Sequence, residues 1–372
     1  MRKIAYLLLV LVLIFYASCV KDKKLEFGQE SPTPYIIEYP SYFTPNNYIQ
    51  PPADNLLTEE GVELGRKLFY ETMLSANNTQ SCASCHNQSF AFTDNGLDFS
   101  VGVTGEKGTR NAMPLFNLAY QESKSASVHK FFWDGAAPSL ERQSIVPIQA
   151  PNEMAGSLPV IISRLQAHPF YPKLFKKAFG TDSIYTLLIQ KAIAQFERTL
   201  LSFNSKYDQY LATRNLGVFT ESERNGLLLF TSENNPALGL KGADCFHCHG
   251  ADKSVFMTDF QMHNNGLSEN PTDSGLFRIT NQSNDIGKFK TPSLRNLAFT
   301  APYMHDGSLK TLEEVIDFYD SGVKNSPWVD PLIAKHLPLG LQLTLEQKQD
   351  LIAFLQTMTD SSFIKNTKFA KP

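Results

Sequence analysis

Apolar positions along the chain repeat mostly at helical spacing, and long runs of strand-like alternation are absent. Thr58-Glu59-Glu60 opens a helix that runs through Gly65-Arg-Lys-Leu-Phe69. Thr220-Glu221-Ser222-Glu223 opens a second with a capping-box pattern and runs through Gly226-Leu-Leu-Leu-Phe230. Two later helices also match each other, Ile193-Ala-Gln-Phe196-Glu-Arg-Thr199-Leu200 and Leu351-Ile-Ala-Phe354-Leu-Gln-Thr357-Met358. The latter starts from another capping box at Thr344, and a further one begins at Thr311. The repeat predicts a mainly α fold of two domains related by internal duplication, with long loops rich in Pro and Gly. The predicted domains span 54–210 and 211–372.

The N-terminus follows a different pattern. Arg2 and Lys3 precede the apolar run Ile4–Tyr16, and Lys21-Asp22-Lys23-Lys24 follow. This is the layout of a secretion signal over 1–19, too short for a membrane span. Tyr16-Ala17-Ser18-Cys19 resembles a lipoprotein cleavage site, although Tyr16 stands where a branched aliphatic is usual. Lipidation of Cys19 would account for the odd one of five cysteines. The expectation is a periplasmic protein, lipid-anchored to a bacterial membrane through Cys19 alone. Residues 20–53, rich in Pro, Tyr and Asn without period, read as a tether lying on the domain surface.

Between each opening and closing helix sits a Cys-x-x-Cys-His motif: Cys82-Ala-Ser-Cys85-His86 and Cys245-Phe-His-Cys248-His249. Two thiols at this spacing meet the two vinyl groups of one porphyrin, and the adjacent imidazole reaches the iron. Chance would place on the order of 0.001 such pentapeptides in a chain of this composition. The two pairs lie too far apart for a Cys₄ zinc ribbon, and a redox dithiol has no use for the trailing His. The motifs therefore predict two covalently bound c-type haems, one in each of two cytochrome c-type haem domains. The net charge of −3 offers no basic field for nucleic acid. The 27 Phe are consistent with walls around flat cofactors and equally with ordinary core filling.

The segments around these motifs resemble the bacterial di-haem cytochrome c peroxidase family, including its tryptophan-modifying MauG-like branch. The resemblance covers roughly 55–360. It rests on Lys107-Gly108-Thr-Arg110-Asn111-Ala112, Phe132-Trp133-Asp134-Gly135, Gln143, Pro147, Glu153-Met154, Thr291-Pro-Ser-Leu-Arg295-Asn296 and Thr300-Ala-Pro302-Tyr-Met-His-Asp-Gly307. It implies that His86 is the proximal ligand of a peroxide-site haem. Glu153 would be its acid/base carboxylate and Gln143 the neighbouring amide. Trp133 would relay electrons between the haems. Asn111 and the carbonyls of Thr300 and Pro302 would bind one Ca²⁺, as hard oxygen donors suit.

Two positions depart from ordinary members. Where these carry a His five residues before Gly108, this chain has Val103, which cannot ligate iron. His129, in a short insertion, is an off-register substitute. Opposite His249, where ordinary members supply a Met, the matching residue is Tyr319, as in MauG-like members; Met304 is the alternative. The implied activity is reduction of hydrogen peroxide with electrons from a small cytochrome or other periplasmic donor, without reductive activation. Oxidation of a partner protein's side chains and simple di-haem electron transport are the competing readings. His168, His247, His263 and His336 have no assigned role.

Overall fold

The framework rests on six helices. They are α1 (Glu59–Phe69), α2 (Leu140–Gln149), α3 (Thr186–Thr199), α4 (Glu221–Thr231), α5 (Leu312–Asp317) and α6 (Leu345–Gln356). The computed structural model describes residues 31–94, 96–124, 129–250 and 254–372. The expected secretion signal over 1–19, with Cys19, lies outside the described residues. The rest is mainly helical, and the only sheet among the described residues is one antiparallel pair, β1 (Met262–His263) and β2 (Phe289–Lys290). No described helix is long and apolar enough to cross a membrane.

The sequence signals at the helix starts are realised as caps. The Thr58 hydroxyl accepts from Gly61 N at 3.0 Å, and Glu59 and Glu60 occupy the first turn of α1. Thr220 with Glu223 and Thr344 with Gln347 form complete capping boxes. Helix α1 packs on α3, and α4 on α6, by the same device. A Cβ added at Gly65 would collide with the Ala192 carbonyl and press on Phe196 Cβ; one added at Gly226 would meet the Asp350 carbonyl and Phe354 Cβ. Each glycine thus lets two helix backbones touch four residues before a buried Phe of the partner helix.

Other segments also share a build. Asn117 and Asn296 both sit at φ 59, and each donates its backbone N–H to the end of a closing helix, at Leu200 O (2.8 Å) and Met358 O (3.2 Å). The loops Phe131–Ala137 and Tyr303–Leu309 each close by a bridge between their end residues. Each has a left-handed second residue, Phe132 at φ 64 and Met304 at φ 71. Each then enters a helix whose cap, Ser139 or Thr311, binds an N–H of the first turn.

The stretch 33–53 and the C-terminal tail are both packed into the fold. The stretch read as a surface tether buries Phe43 against Phe203, Tyr120 and Phe256, and buries Ile49 nearby. Tyr42 donates its hydroxyl to Asp208 at 2.5 Å. Aromatic area outweighs the polar, aperiodic look of residues 33–53. At the other end, Phe363 and Phe369 pack with Phe69, Phe92 and Phe116 beside Cys82. Arg66 and Tyr70 hold that tail through the carbonyls of Ala370 and Phe369. The last residues therefore lie on the half that carries the first motif.

Candidate haem centres

Each Cys-x-x-Cys-His motif forms one tight helical turn. The first spans Cys82–Cys85, with Ser81 N donating to Ser84 Oγ at 3.0 Å, and His86 N–H returns to Cys82 O. The second spans Phe246–His249. One turn brings both thiols of a motif to one side of the imidazole. All four thiols are free and half-buried. Burial raises each: Cys85 to about 11, and Cys245 and Cys248 to about 12. Burial, with Glu197 nearby, raises Cys82 further still.

The two histidines are prepared alike. His86 Nδ1 donates to Phe92 O at 2.8 Å, and His249 Nδ1 to Met257 O at 3.3 Å. Both acceptors belong to residues with left-handed backbones, φ 62 and φ 54, which aim the carbonyls back at the rings. A second carbonyl, of Met113 or Pro292, lies against each ring. Burial keeps both imidazoles neutral and takes His249 down to about 4. A neutral imidazole whose Nδ1–H is held by a carbonyl offers Nε2 to a metal.

Around the second motif lies a cavity of about 250 Å³ lined by Cys245, Cys248, His249, Leu294, Leu355 and Tyr319, among others. Tyr319 sits in a π-helical turn, Phe318–Gly322, at the end of α5. Burial pushes its hydroxyl to about 12, with Asn265 pulling the other way. Met304 lines the same cavity, and its sulfur accepts from Asn265 Nδ2 at 3.4 Å. Asn265 therefore serves both candidate ligands. An apolar cavity beside two thiols and a neutral imidazole fits a haem.

The residues expected above the first centre lie on one helix and the loop that follows it. Helix α2 carries Gln143 and Pro147. Gln143 Oε1 is buried and finds no hydrogen-bond partner among the described residues. Glu153 follows in the next loop, anchored by its N–H to Ala150 O at 3.0 Å. Val103 N–H donates to Glu153 O at 2.7 Å, and Gly102 leaves room for the Asn152 carbonyl. Burial raises the Glu153 carboxyl, and its charge reaches both Cys82 and Cys85. His129 packs instead over Gly135, beside Met262.

Trp133, 8% exposed, lies on the wall of the larger cavity. Its indole N–H donates to Asn111 O at 2.9 Å, and its own carbonyl accepts from Lys290 N at 2.9 Å. Asn111, Thr300 and Pro302 border that same cavity, and Asn111 N–H donates to His305 O. The Asn111 amide NH₂ is spent on Leu97 O and Asp98 O, which leaves its oxygen as a donor to a cation.

Four features have no role assigned from the sequence. Glu197, wholly buried and raised by burial to about 8, lies near Cys82. Its only signal was a charged pair inside an apolar helix. Lys290 is buried and lines the cavity around the second motif. His263 is clasped by Asp330 at 2.6 Å and Asp259 at 2.8 Å. His247 and His336 join Glu233 and Asp244 at the cavity rim.

Residues 59–215 match the family model described as di-haem cytochrome c peroxidase. The methylamine utilization protein MauG of Methylorubrum extorquens is 36% identical over 82% of this chain and 80% of its own. The chain belongs to the di-haem cytochrome c peroxidase family. Cytochrome-c peroxidase IdrP1 of a Pseudomonas species is 32% identical, covering 83% of each chain. A solved MauG-like protein associated with microbial copper homeostasis aligns with TM-score 0.79 at 37% identity, covering 91% of this chain and 99% of that one. A di-haem family whose members are named cytochrome-c peroxidases makes this chain an oxidoreductase. Both motifs match that family's two c-type haems.

Proposed function

We propose that this protein reduces hydrogen peroxide to water in the periplasm, with electrons from a small cytochrome or similar donor. Its two haem domains, 54–210 and 211–372, would derive from one duplicated unit. The matched helix pairs Gly65/Phe196 and Gly226/Phe354 support that origin. Cys82, Cys85 and His86 hold one haem, and Cys245, Cys248 and His249 the other; each supplies a redox-active iron. The observation that carries the reading is the backbone pairing of Val103 with Glu153, which sets a buried carboxyl beside a residue that cannot ligate.

The loop correspondence supports the same asymmetry. Pro147 and Tyr319 each stand fourteen residues after the matched Trp133 and His305. Where the second half offers a phenol to its centre, the first half offers a proline to its own. Glu153 would accept a proton from one peroxide oxygen and return it to the other, while two electrons and two protons convert H₂O₂ to two waters. Gln143, its carbonyl oxygen unpaired, would accept the remaining peroxide O–H. Trp133 would carry electrons between the halves. Asn111, Thr300 and Pro302 would bind Ca²⁺ across them. Tyr319 in the second cavity also favours MauG-like oxidation of a partner protein, which needs the same site and a different reductant.

Mixing the as-isolated oxidised protein with H₂O₂ and a reduced cytochrome should give turnover without a lag, and a calcium chelator should abolish it. Turnover that appears only after pre-reduction would overturn the open-site reading.

A further inference from the structure

Buried cations in this chain have carboxylate partners. Arg295 meets Asp208, Arg198 meets Glu122 and Glu141, and Arg110 meets Asp134 and Asp273. Lys290 does not follow the pattern. It is 6% exposed, yet among the described residues no carboxylate pairs with it. Its Nζ reaches one acceptor, Lys130 O at 3.5 Å, and lies 5.9 Å from the centre of the Phe131 ring. Burial draws it down to about 8, with no opposing charge to restore it. A buried ammonium without an anion is strongly disfavoured, so a charged Lys290 calls for an anion that the polypeptide itself does not supply.

Its position says which anion. Lys290 lines the larger cavity together with Cys245, Cys248 and His249. It also lines a smaller one of about 50 Å³, bounded by Met113, Pro114 and Pro292, next to the carbonyls that face the two histidines. The other basic residues on the larger cavity are already engaged. His263 is held by Asp259 and Asp330, and His247 and His336 by Glu233 and Asp244. His305 stacks on Phe289 at 3.7 Å, and burial keeps it neutral. Lys290 is the cation left over. A haem brings two carboxylates of its own, and buried carboxylates need a cation or several N–H donors.

We infer that Lys290 is the counter-ion of a propionate of the haem held by Cys245, Cys248 and His249. The inference rests on the di-haem reading. The ammonium would favour the ferrous over the ferric state of that haem and raise its potential. Its backbone bond to Trp133 O puts this charge on the electron path between the centres. Lysine fits a single propionate as a point charge, and arginine would keep the charge.

The test is a redox titration of the full haem-loaded protein, with haem content counted by absorbance. Lys290→Met should lower the midpoint potential of the second haem, and Lys290→Arg should restore most of it. Two bound haems with both potentials unchanged in Lys290→Met would overturn the inference, as would a fall confined to the first haem. A parent protein without two haems would instead sink the di-haem reading. Should Lys290→Met fail to mature, a crystal structure of the loaded parent decides. Nζ within hydrogen-bond reach of a propionate oxygen supports the assignment, and Nζ bonded only to protein carbonyls removes it.

Discussion

Glu153→Gln should slow peroxide turnover by about 10²–10⁴-fold, the usual contribution of a positioned acid/base group. Glutamine keeps the length and polarity of the side chain, and the Val103 N–H to Glu153 O bond is a backbone contact that survives the change. The loss would therefore report on the proton and not on the loop. The pH profile gives a second readout. A carboxyl acting as base works only when ionised, and burial raises this one. The acidic limb of the rate profile should therefore lie above the ordinary glutamate value of about 4.3, and it should vanish in the variant. Steady-state assays across pH check both. Unchanged turnover would remove Glu153 from the mechanism.

The second large effect concerns stability. Arg295, fully buried, meets Asp208 through two bonds of 2.8 and 3.0 Å and donates to Val255 O. Tyr42 and Ser205 also bond Asp208. Asp208→Asn should lower unfolding free energy by about 3–5 kcal/mol, because it strands a buried guanidinium. Burial alone would raise the Asp208 pKa, but the Arg295 charge and hydrogen bonds hold it below the ordinary carboxylate range. A depressed carboxyl stabilises the fold fully above its unfolded value of about 3.9, and that share is lost as pH falls through the lower folded value. Denaturant unfolding at neutral and acid pH checks this: the gap between parent and variant should narrow at low pH. Equal stabilities at neutral pH would show the pair to be dispensable.

Much of the framework was legible because its signals are local. The caps at Thr58, Thr220 and Thr344 depend on residues within one turn, and so does the geometry of Cys82–His86 and Cys245–His249. Gly65 and Gly226 were visible as a repeat, but their use as contact points between helices required the partner helices. The burial of Phe43 and Phe363 was not legible, since each meets a surface assembled from distant segments. The carbonyls that hold the two imidazoles were hidden for another reason. They belong to Phe92 and Met257, bulky residues in a left-handed conformation that no local rule favours. Lys290 escaped notice because a lysine is ordinarily exposed, and only the fold shows that its end is not.

The two haem centres are proposed to differ. The first is proposed to be open under Glu153 beside Val103 and Pro147, and the second to be closed by Tyr319. Electron paramagnetic resonance of the as-isolated ferric protein tests this difference most directly. One high-spin haem and one low-spin haem are expected, the low-spin signal changing in Tyr319→Phe. Two low-spin haems in the parent protein would contradict it.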